Sequence, residues 1–412
     1  METGRRLPPI WLMGLSNALF GLTGGFCAVI IPDLFAAHGI PAGHIASVTA
    51  LILSPSFWAF TIAPMLDVRL SRRTYALIFG TITAFTVGIT VAYSNRSGLV
   101  EAVMLPGFLA ASLYSGAVGG WMGSLISKKQ DGELGIWFSV TTIGAGGLMI
   151  ALSGEVLQRF NATLSAILIG GTILLPMASF LAIPSPPADR RLASESFGRF
   201  CREVASLLRR REVQTALLLF LLPAASFALT NILGGMGRDF SANERTVSLF
   251  AGIGSTIAGI TGSFLLFPLV RRMALRPIYL SIGIVGALFT LSLIALPHTP
   301  GSFAIAITGE NLFQALAFSA SNAITFEVIG PNNPFAATLF SLLLSAINLP
   351  IIYMQFLDGR GYDRGGLTGS YVTDASLSIS ACLLLAWLLS RWRRNQKPAG
   401  SVSFAPVPDD AD

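Results

Sequence analysis

The residues best suited to chemistry lie together in one apolar stretch between Phe303 and Ile329. An α-helix turns by about 100° per residue, and on such a helix one acid, three amides, two hydroxyl groups and an aromatic ring share an arc of about 120°. These residues are Glu310, Asn311, Gln314, Phe318, Ser321, Asn322 and Thr325. A polar stripe of this kind can face a water-filled or substrate-filled cavity, or it can form hydrogen bonds between helices.

Glu310 is the residue of this stripe that can carry a proton. Ionising a carboxyl group among hydrocarbon costs about 3 kcal/mol on insertion scales, so a buried acid usually faces a cavity or a partner. Desolvation also favours the protonated form of a carboxyl group. We therefore expect Glu310 to take up a proton on one side of a barrier and release it on the other, with Asp374 as a second acceptor.

Isolated polar and aromatic residues in other apolar stretches are further candidates for lining a cavity. Amides can bind a solute without introducing charge, and Tyr and Trp rings provide contact area. Ordinary helix packing is the alternative for each of them. They are Asn17, Tyr114, Trp121, Asn231 and Asn348.

A second group of charged residues lies near the ends of the apolar stretches on one side. It consists of Asp33, Glu155, Asp358, Arg360, Asp363, Arg364 and Asp374. We expect a polar network at that surface, apart from the proton-accepting role of Asp374. A binding site is the less favoured reading of this group.

The segment APMLDVRLSRR, which follows the second apolar stretch, places an acid close to several Arg residues. Charge-assisted hydrogen bonds between such groups can hold the ends of neighbouring helices together and break when the helices move. The predicted gate consists of Asp67, Arg69, Arg72, Arg73 and Arg276. Anchoring at a membrane surface explains the Arg residues equally well, but it does not explain Asp67.

Other chemistries have little support in the sequence. The three His residues lie in loops without the spacing of metal ligands. No Gly-rich loop precedes a Lys and a hydroxyl residue, and no nucleophile is paired with a base. The three Cys residues are far apart and predict no disulfide. We therefore expect no enzyme activity, no metal and no cofactor.

The elements that must position these residues are membrane-spanning helices. Hydrophobic residues make up 53% of the chain, charged residues 12%, and mean hydropathy is +0.68, whereas about a quarter of a soluble domain is charged. A spanning helix needs about 20 apolar residues. Twelve stretches satisfy this, at 9–35, 44–65, 74–93, 99–125, 135–157, 164–183, 214–233, 247–270, 277–296, 303–329, 335–356 and 370–389. The sequence predicts an all-α membrane protein with twelve transmembrane helices.

The Lys and Arg residues lie between and beside these stretches, and their distribution gives an orientation. If both termini are cytoplasmic, 21 of the 27 Lys and Arg residues are on the cytoplasmic side, as the positive-inside rule requires. They are spread over six segments, so the net charge of +6 reflects topology and predicts no nucleic-acid partner. We expect a multi-pass protein of the cell inner membrane in contact with its lipids.

One long polar segment divides the chain into two sets of six spans. We expect an N-terminal half at 1–183, a cytoplasmic linker at 184–212, a C-terminal half at 213–395 and a flexible tail at 396–412. An apolar face in the linker is typical of a helix lying on the inner leaflet, although a solvated linker is the alternative. Its residues are Phe197, Phe200, Cys201, Val204, Leu207 and Leu208.

The two sets of spans also resemble each other. A triplet of Pro, Arg and Tyr at the junction of the second and third spans recurs 204 residues later, at the junction of the eighth and ninth. The pairs are Pro64 and Pro268, Arg72 and Arg276, and Tyr75 and Tyr279. This arrangement fits two pseudo-symmetric halves of six helices related by the parallel repeat of the major facilitator fold.

Several segments resemble the permease family that contains the AmpG-type muropeptide permeases and the acetyl-CoA transporters. They are LFGLTGGF with the following IPDLF, SPSFWAFTIAPMLD, GENLFQALAFSASNAITFEV and NPFAATLFSLLLSAINLP. The resemblance matches Glu310 and Asn311 to the Glu-Asn pair that opens the tenth-helix motif, and Asp67 to the acid after the second helix. It also matches Ala337, Thr338 and Ser341 to the family's Ala-Thr and Ser positions.

The chain also departs from known patterns. GAVGGWMGS stands in the fourth helix where muropeptide permeases carry acids, and Ala63 or Pro64 replaces the glycine that opens the signature loop of major facilitators. The fourth-helix Arg and fifth-helix Gly-Pro of many drug-proton antiporters are absent. The resemblance therefore implies transport but leaves muropeptide as a substrate in doubt.

Together these patterns predict a secondary active transporter that moves a small organic solute by alternating access and is coupled to protons. A neutral, zwitterionic or amphipathic solute fits best, because no Lys or Arg lies in the middle of a span. We expect a monomer. A membrane receptor or scaffold on the same fold and a drug exporter are the alternatives.

The predicted topology can be checked by cysteine labelling. Single Cys residues introduced at Ser127 and Ser194 should be protected from an impermeant thiol reagent in intact cells, because both positions are predicted to be cytoplasmic. A Cys at Gly366 should be labelled. The reverse pattern would overturn the orientation.

Overall fold

The computed structural model describes residues 7–185 and 205–394, and these residues are almost entirely helical. Ten helices in these ranges are long and apolar enough to cross a membrane. The seventh predicted span is absent from the ten because it is broken, and the last two are counted together as one continuous stretch. The prediction of twelve spans in an all-α membrane fold is confirmed.

The N-terminal half contains six spans joined by short loops. Their bounds are α1 Ile10–Ala37, α2 Gly43–Thr61, α3 Arg72–Ala92, α4 Ser97–Leu125, α5 Asp131–Arg159 and α6 Ala162–Leu181. A side-chain oxygen caps the start of α3 and of α6, where Ser71 and Asn161 each accept a hydrogen bond from the N–H three residues later. Such caps satisfy N–H groups that have no partner within the helix.

The C-terminal half begins with α7, which is built from the segments Arg211–Leu221, Thr230–Leu233 and Gly234–Phe240. Three continuous spans follow it: α8 Glu244–Val270, α9 Leu275–Ala295 and α10 Pro300–Ile329. The last stretch, Ala336–Arg394, turns at Gly365 and Gly366. Gly366 has a φ of 58°, which a side chain disfavours. We call residues 336–364 α11 and residues 367–394 α12.

The loops around 62–71, 126–130, 271–274 and 330–335 lie at one end of the bundle, which we call the basic end. Polar contacts tie these loops together there, including one from the Asn332 N–H to the Ser124 carbonyl at 3.2 Å. We call the other end, which carries the turn at Gly365, the opposite end. One hydrophobic core runs through both halves, and a smaller core fills the opposite end of the C-terminal half.

The break in α7 leaves backbone groups that a membrane helix would satisfy internally. Side chains from three later spans bind the freed carbonyl groups. Tyr353 donates to Leu221 at 2.7 Å, the Cys382 thiol to Ala224 at 3.2 Å, and Gln314 to Phe227 at 3.2 Å. The broken span is therefore held by α10, α11 and α12.

Glycines of α4 bring the two halves together at the basic end. A side chain at Gly120 would collide with the backbone of Ala337 in α11, and one at Gly119 with the ring of Phe340. Small residues allow such close approach between membrane helices. The glycine-rich pattern of α4 thus serves contact between the halves, as well as packing within one half.

Part of the predicted linker lies outside the described residues. This includes Phe197, Phe200, Cys201 and Val204 of the predicted amphipathic face, and also the whole predicted tail at 396–412. Of the described members, Leu207 is buried and Leu208 is exposed. The inner-leaflet helix stays a prediction.

The close contact at Gly120 yields a test of the closed interface. Gly120→Ala should loosen the basic end, because the added methyl group meets backbone that cannot turn away. A Cys placed at buried Ser124, in a chain whose three native Cys are replaced by Ser, should then react faster with a thiol reagent.

Gly154→Ala in α5 is the matched control, because nothing lies within 4 Å of the added atom and Ala improves helix propensity slightly. Equal labelling rates for the two variants would contradict this account of the interface.

Candidate functional site

Asp67 connects the two halves of the molecule at the basic end. Its side chain is almost completely buried and accepts hydrogen bonds from two elements. Arg72, at the start of α3, approaches Oδ1 through Nε at 2.9 Å and through Nη2 at 2.8 Å. Thr338 of α11 donates to Oδ2 from its backbone N–H at 2.8 Å and from its hydroxyl at 2.6 Å. The Ala337 N–H approaches Oδ1 at 3.2 Å.

This arrangement caps a helix of one half with a carboxylate of the other. The N–H groups of Ala337 and Thr338 belong to the first turn of α11, where they have no partner within the helix and carry the positive end of the helix dipole. Arg72 completes the contact by donating to the carbonyl groups of Asn333 at 2.9 Å and Pro334 at 3.0 Å. We call Asp67, Arg72 and the segment 333–338 the latch.

Burial and the neighbouring groups of the latch have opposite effects on the pKa of Asp67. Burial is the largest effect and raises the pKa of its carboxyl group above the usual value, while the charge of Arg72 and the hydrogen bonds from Thr338 and Arg72 partly offset that rise by stabilising the ionised form. The ionised form is the one that can accept all four hydrogen bonds.

The other predicted gate residues do not bridge the halves. Arg69 is exposed, in a left-handed backbone conformation. Arg73 donates to Ser185 at 2.9 Å within the N-terminal half, and Arg276 lies 3.8 Å from Glu327 within the C-terminal half. The internal repeat thus places Arg72 and Arg276 at equivalent junctions, but only Arg72 contacts the other half.

Glu310 is completely buried, and it faces α9 and α12 within the C-terminal half. Its Oε1 atom accepts a hydrogen bond from the Thr290 hydroxyl at 2.6 Å, while Oε2 has no hydrogen-bond partner. The carboxyl group interacts electrostatically with Asp374 of α12, which is also buried. The two predicted proton acceptors are therefore neighbours.

The other polar residues of the α10 stripe do not share one environment: some line a small cavity, and others are half-buried outside it. Gln314 donates to Thr230 of the broken α7 at 2.7 Å, and it lines a small cavity together with Phe318 and Ser321. That cavity holds about one water molecule, and α7, α9 and α11 complete its walls. Asn311, which donates to its own helix at the Ile307 carbonyl, and Asn322 are half-buried.

Asn17 belongs to a polar cluster of the N-terminal half. Its side chain donates to Thr142 of α5 at 3.1 Å and accepts from Ser115 of α4 at 3.0 Å. The residue lies where α1 bends between Leu15 and Ala18. Asn231 is exposed near the break in α7, and Asn348 is half-buried in α11.

Tyr114 and Trp121 offer no surface to a cavity in this conformation, contrary to expectation. Both are fully buried against Phe180 of α6, with ring centroids 6.2 and 5.1 Å from that ring. The Tyr114 hydroxyl donates to the Ser16 carbonyl at 2.6 Å, at the bend of α1. The Trp121 indole donates to the Pro184 carbonyl at 3.0 Å. Their roles here are to support the bend and the start of the linker.

Comparison with solved structures identifies proteins with a similar fold. The proton:xylose symporter XylE, described as a major facilitator superfamily protein and bound to 6-bromo-6-deoxy-D-glucose, has a TM-score of 0.66 at 14% identity, over 92% of this chain and 96% of that one. The Escherichia coli fucose:proton symporter FucP has the same TM-score and identity, over 92% and 98%. The human organic anion transporter TETRAN has a TM-score of 0.63 at 16% identity, over 93% and 100%.

The chain has the major facilitator fold. At identities of 14–16% these likenesses show the fold and not the substrate. No protein-family model matches the chain, and neither does any curated protein. The resemblance to the muropeptide permeases and acetyl-CoA transporters therefore stays a prediction.

Within the major facilitator fold, the latch marks a conformation closed at the basic end. The α4 glycines pack on α10 and α11 there, and Gly135 of α5 packs on Ala323 of α10. Alternating access in this fold requires one set of helices to rock against the other around a central site. The latch and the glycine contacts are the interactions that such rocking would separate.

Sequence reasoning missed the full role of two residues. Thr338 was matched only through the permease resemblance, although it supplies two donors to Asp67. Asp358 was assigned to a surface network, yet its side chain is completely buried. The predicted eleventh span ends at residue 356 and leaves Asp358 outside, whereas α11 continues to residue 364 and places Asp358 about 9 Å inside the helix.

The latch makes a prediction about conformation. Asp67→Asn should shift the protein toward a form open at the basic end, because the amide cannot accept all four hydrogen bonds and leaves Arg72 buried without a counter-ion. Removing one partner of a buried ion pair costs about 3 to 5 kcal/mol. Labelling of a Cys at Ser124 should rise by at least tenfold.

Glu155→Gln serves as the control, because its pair with Arg159 is exposed and such pairs contribute little. If Asp67→Asn leaves labelling unchanged, the latch does not hold the basic end closed.

Proposed function

We propose that this protein is a proton-coupled secondary transporter that carries a small organic solute across the cell inner membrane by alternating access. The basic end faces the cytoplasm, so both termini are cytoplasmic. We also propose that the transporter works as a monomer. In this orientation the structure corresponds to a conformation closed toward the cytoplasm. Glu310 carries the coupling proton, with Asp374 beside it.

The observation that carries the proposal is the environment of Glu310. Its carboxyl group is fully buried, with one hydrogen bond from Thr290 and one oxygen without a partner. No ion pair joins it to an Arg or Lys among the described residues 7–185 and 205–394. A buried acid without a cation is stable only when protonated, and it must find water before it releases the proton. Rocking of the two halves provides that change of environment.

The small cavity has room for about one water molecule in this closed conformation, and we propose that it widens to bind a neutral or zwitterionic solute when the halves rock. Gln314, Ser226, Ser321 and Tyr279 present hydrogen-bonding groups, and Phe318 presents an aromatic face. None of these carries a formal charge, so a strongly anionic solute has no cationic partner there. The solutes named for two structural neighbours are the sugars xylose and fucose, whereas a third neighbour is an organic anion transporter.

Transport assays in membrane vesicles test this proposal. Right-side-out and everted vesicles containing the protein would be screened with sugars, nucleosides, peptidoglycan fragments, acyl-CoA compounds, amphiphiles and organic anions, with and without a proton gradient. Accumulation of one class that collapses with the gradient is the expected result. Flux of no class, with intact folding, favours the receptor or scaffold, and export of cationic compounds favours the drug exporter.

The role of Glu310 gives the sharpest prediction. Glu310→Gln keeps the shape and the hydrogen bond with Thr290 but cannot exchange a proton. The variant should bind its solute and exchange it across the membrane, while gradient-driven accumulation falls to the level of the empty vesicle.

Glu155→Gln, which removes an exposed acid, should accumulate solute as the unaltered protein does. Gradient-driven accumulation by Glu310→Gln with unaltered pH dependence would exclude proton coupling through Glu310.

A further inference from the structure

The strongest unexplained feature of the molecule is a group of three buried carboxyl groups in the C-terminal half. Asp358 of α11 is completely buried, and the only described group that forms a hydrogen bond with its side chain is the neighbouring carboxyl group of Asp374, a pair that requires a proton on one of the two acids. It interacts electrostatically with both Asp374 and Glu310. Three helices thus each contribute one acid to a single place, which we call the carboxyl cluster.

The cluster lies at one depth in the bundle. Glu310 is ten residues from the start of α10, Asp358 six from the end of α11, and Asp374 seven from the start of α12. At 1.5 Å per residue these positions are about 9 to 15 Å below the opposite end. The cluster is therefore closer to the opposite end than to the basic end.

Unpartnered hydroxyl groups accompany the acids. Ser370 and Tyr371 of α12 are both buried, and neither hydroxyl has a hydrogen-bond partner. Ser370 and Asp374 are four residues apart, which places them on one face of α12. Tyr371 interacts electrostatically with Glu310 and also with Asp239 at the end of α7. Buried hydroxyl groups normally have partners, so these two can still bind a proton donor or acceptor.

No cation balances the cluster among the described residues. The titratable groups that face it are Asp239 from α7, Glu310 from α10, Asp358 and Tyr362 from α11, and Tyr371 and Asp374 from α12; α9 contributes only the Thr290 hydroxyl. Arg238, which precedes Asp239 in sequence, and Arg360, two residues after Asp358, are exposed, and Arg360 packs over the ring of Phe356. His298 is exposed against Phe240. Like charges this close cannot all be ionised.

We infer that Glu310, Asp358 and Asp374 form one shared proton-binding site, and that Tyr371 connects it to Asp239 at the opposite end. This inference deepens the proposed function, on which its role in transport rests. Asp239 is half-buried and accepts a hydrogen bond from Tyr362 at 2.7 Å, so it can receive a proton from water. In this conformation the Tyr371 hydroxyl is bonded to neither group, so the relay requires that hydroxyl to turn into hydrogen-bond contact with both. The Tyr371 oxygen then takes up a proton from the side of Asp239 and releases its own hydroxyl proton to a carboxylate of the cluster. The phenol is neutral before and after the step.

The consequence for coupling is that Glu310 does not titrate alone. Groups that interact this strongly lose their protons in steps that belong to the whole set. Substituting any one acid must therefore change the titration of the other two. A structural role for Asp358 would predict no such effect.

Infrared spectroscopy tests the inference without knowledge of the solute. The full chain, purified in lipid nanodiscs, would be titrated while the carbonyl stretch of protonated carboxyl groups is recorded. Asp358→Asn should remove about a third of the titrating signal and shift the midpoint of the remainder by about one pH unit to lower pH. Glu155→Gln, an exposed acid, should leave the buried signal unchanged.

A kinetic arm tests the link to the opposite end. After a rapid pH change, protonation of the cluster should slow by about a hundredfold in Tyr371→Phe, and Tyr93→Phe, which alters an exposed tyrosine, should have no effect. Where Asp358→Asn does not fold, Asp358→Glu and Glu310→Gln provide the same comparison, because each perturbs the shared titration.

Three results would overturn the inference. One is an unchanged midpoint in both Asp358→Asn and Glu310→Gln, and another is unaltered kinetics in Tyr371→Phe. The third is loss of the signal when sodium chloride replaces choline chloride at equal ionic strength, because that result identifies a cation site. Normal gradient-driven accumulation by Glu310→Gln would instead reject the proposed function, even if the three acids titrate together.

Discussion

The closed conformation depends on a carboxylate from one half that caps a helix from the other. Asp67 satisfies two N–H groups at the start of α11, and Arg72 binds the two carbonyl groups that precede that helix. An ordinary cap stabilises the helix to which it is adjacent in sequence. Here the partners are separated by about 270 residues in sequence, so the cap stabilises the contact between the halves.

A polar latch suits an interface that opens, as the proposed function requires. Each of its groups can be hydrated after separation, and the buried charges make the closed state specific. The glycines of α4 complement it, because they allow α10 and α11 to approach without interlocking side chains. The latch stabilises the contact between the halves at the basic end, and the glycines allow the helices of the two halves to approach closely there.

Spans, loops and the polar face of α10 were predictable because hydropathy and helical period depend only on the order of residues along the chain. Asp67 was predictable as a gate residue for another local reason, because an acid among Arg residues is expected to form a charge-assisted contact. Its partner Thr338 was not predictable from physical chemistry, because nothing local indicates that a helix start in the other half will approach. The sequence predicts a surface position for Asp358 and a second proton acceptor at Asp374, but only the packing of α11 and α12 places both beside Glu310.

The direction of the stripe shows a second limit of sequence reasoning. A helical wheel places Glu310 and Gln314 on one face, but it cannot tell which neighbour that face meets. In the structure Glu310 contacts Thr290 of α9, while Gln314 contacts Thr230 of α7. One face therefore serves both a buried acid site and a small polar cavity.

The break in α7 has a consequence for how the protein is made. A segment with free carbonyl groups is a poor candidate for independent entry into a bilayer, since those groups find no water there. Their partners, Gln314, Tyr353 and Cys382, belong to spans that are synthesised later. The seventh span must therefore wait for α10, α11 and α12 before it reaches its final form. Biogenesis of the C-terminal half is a collective event, in which the earliest span is the last to be completed.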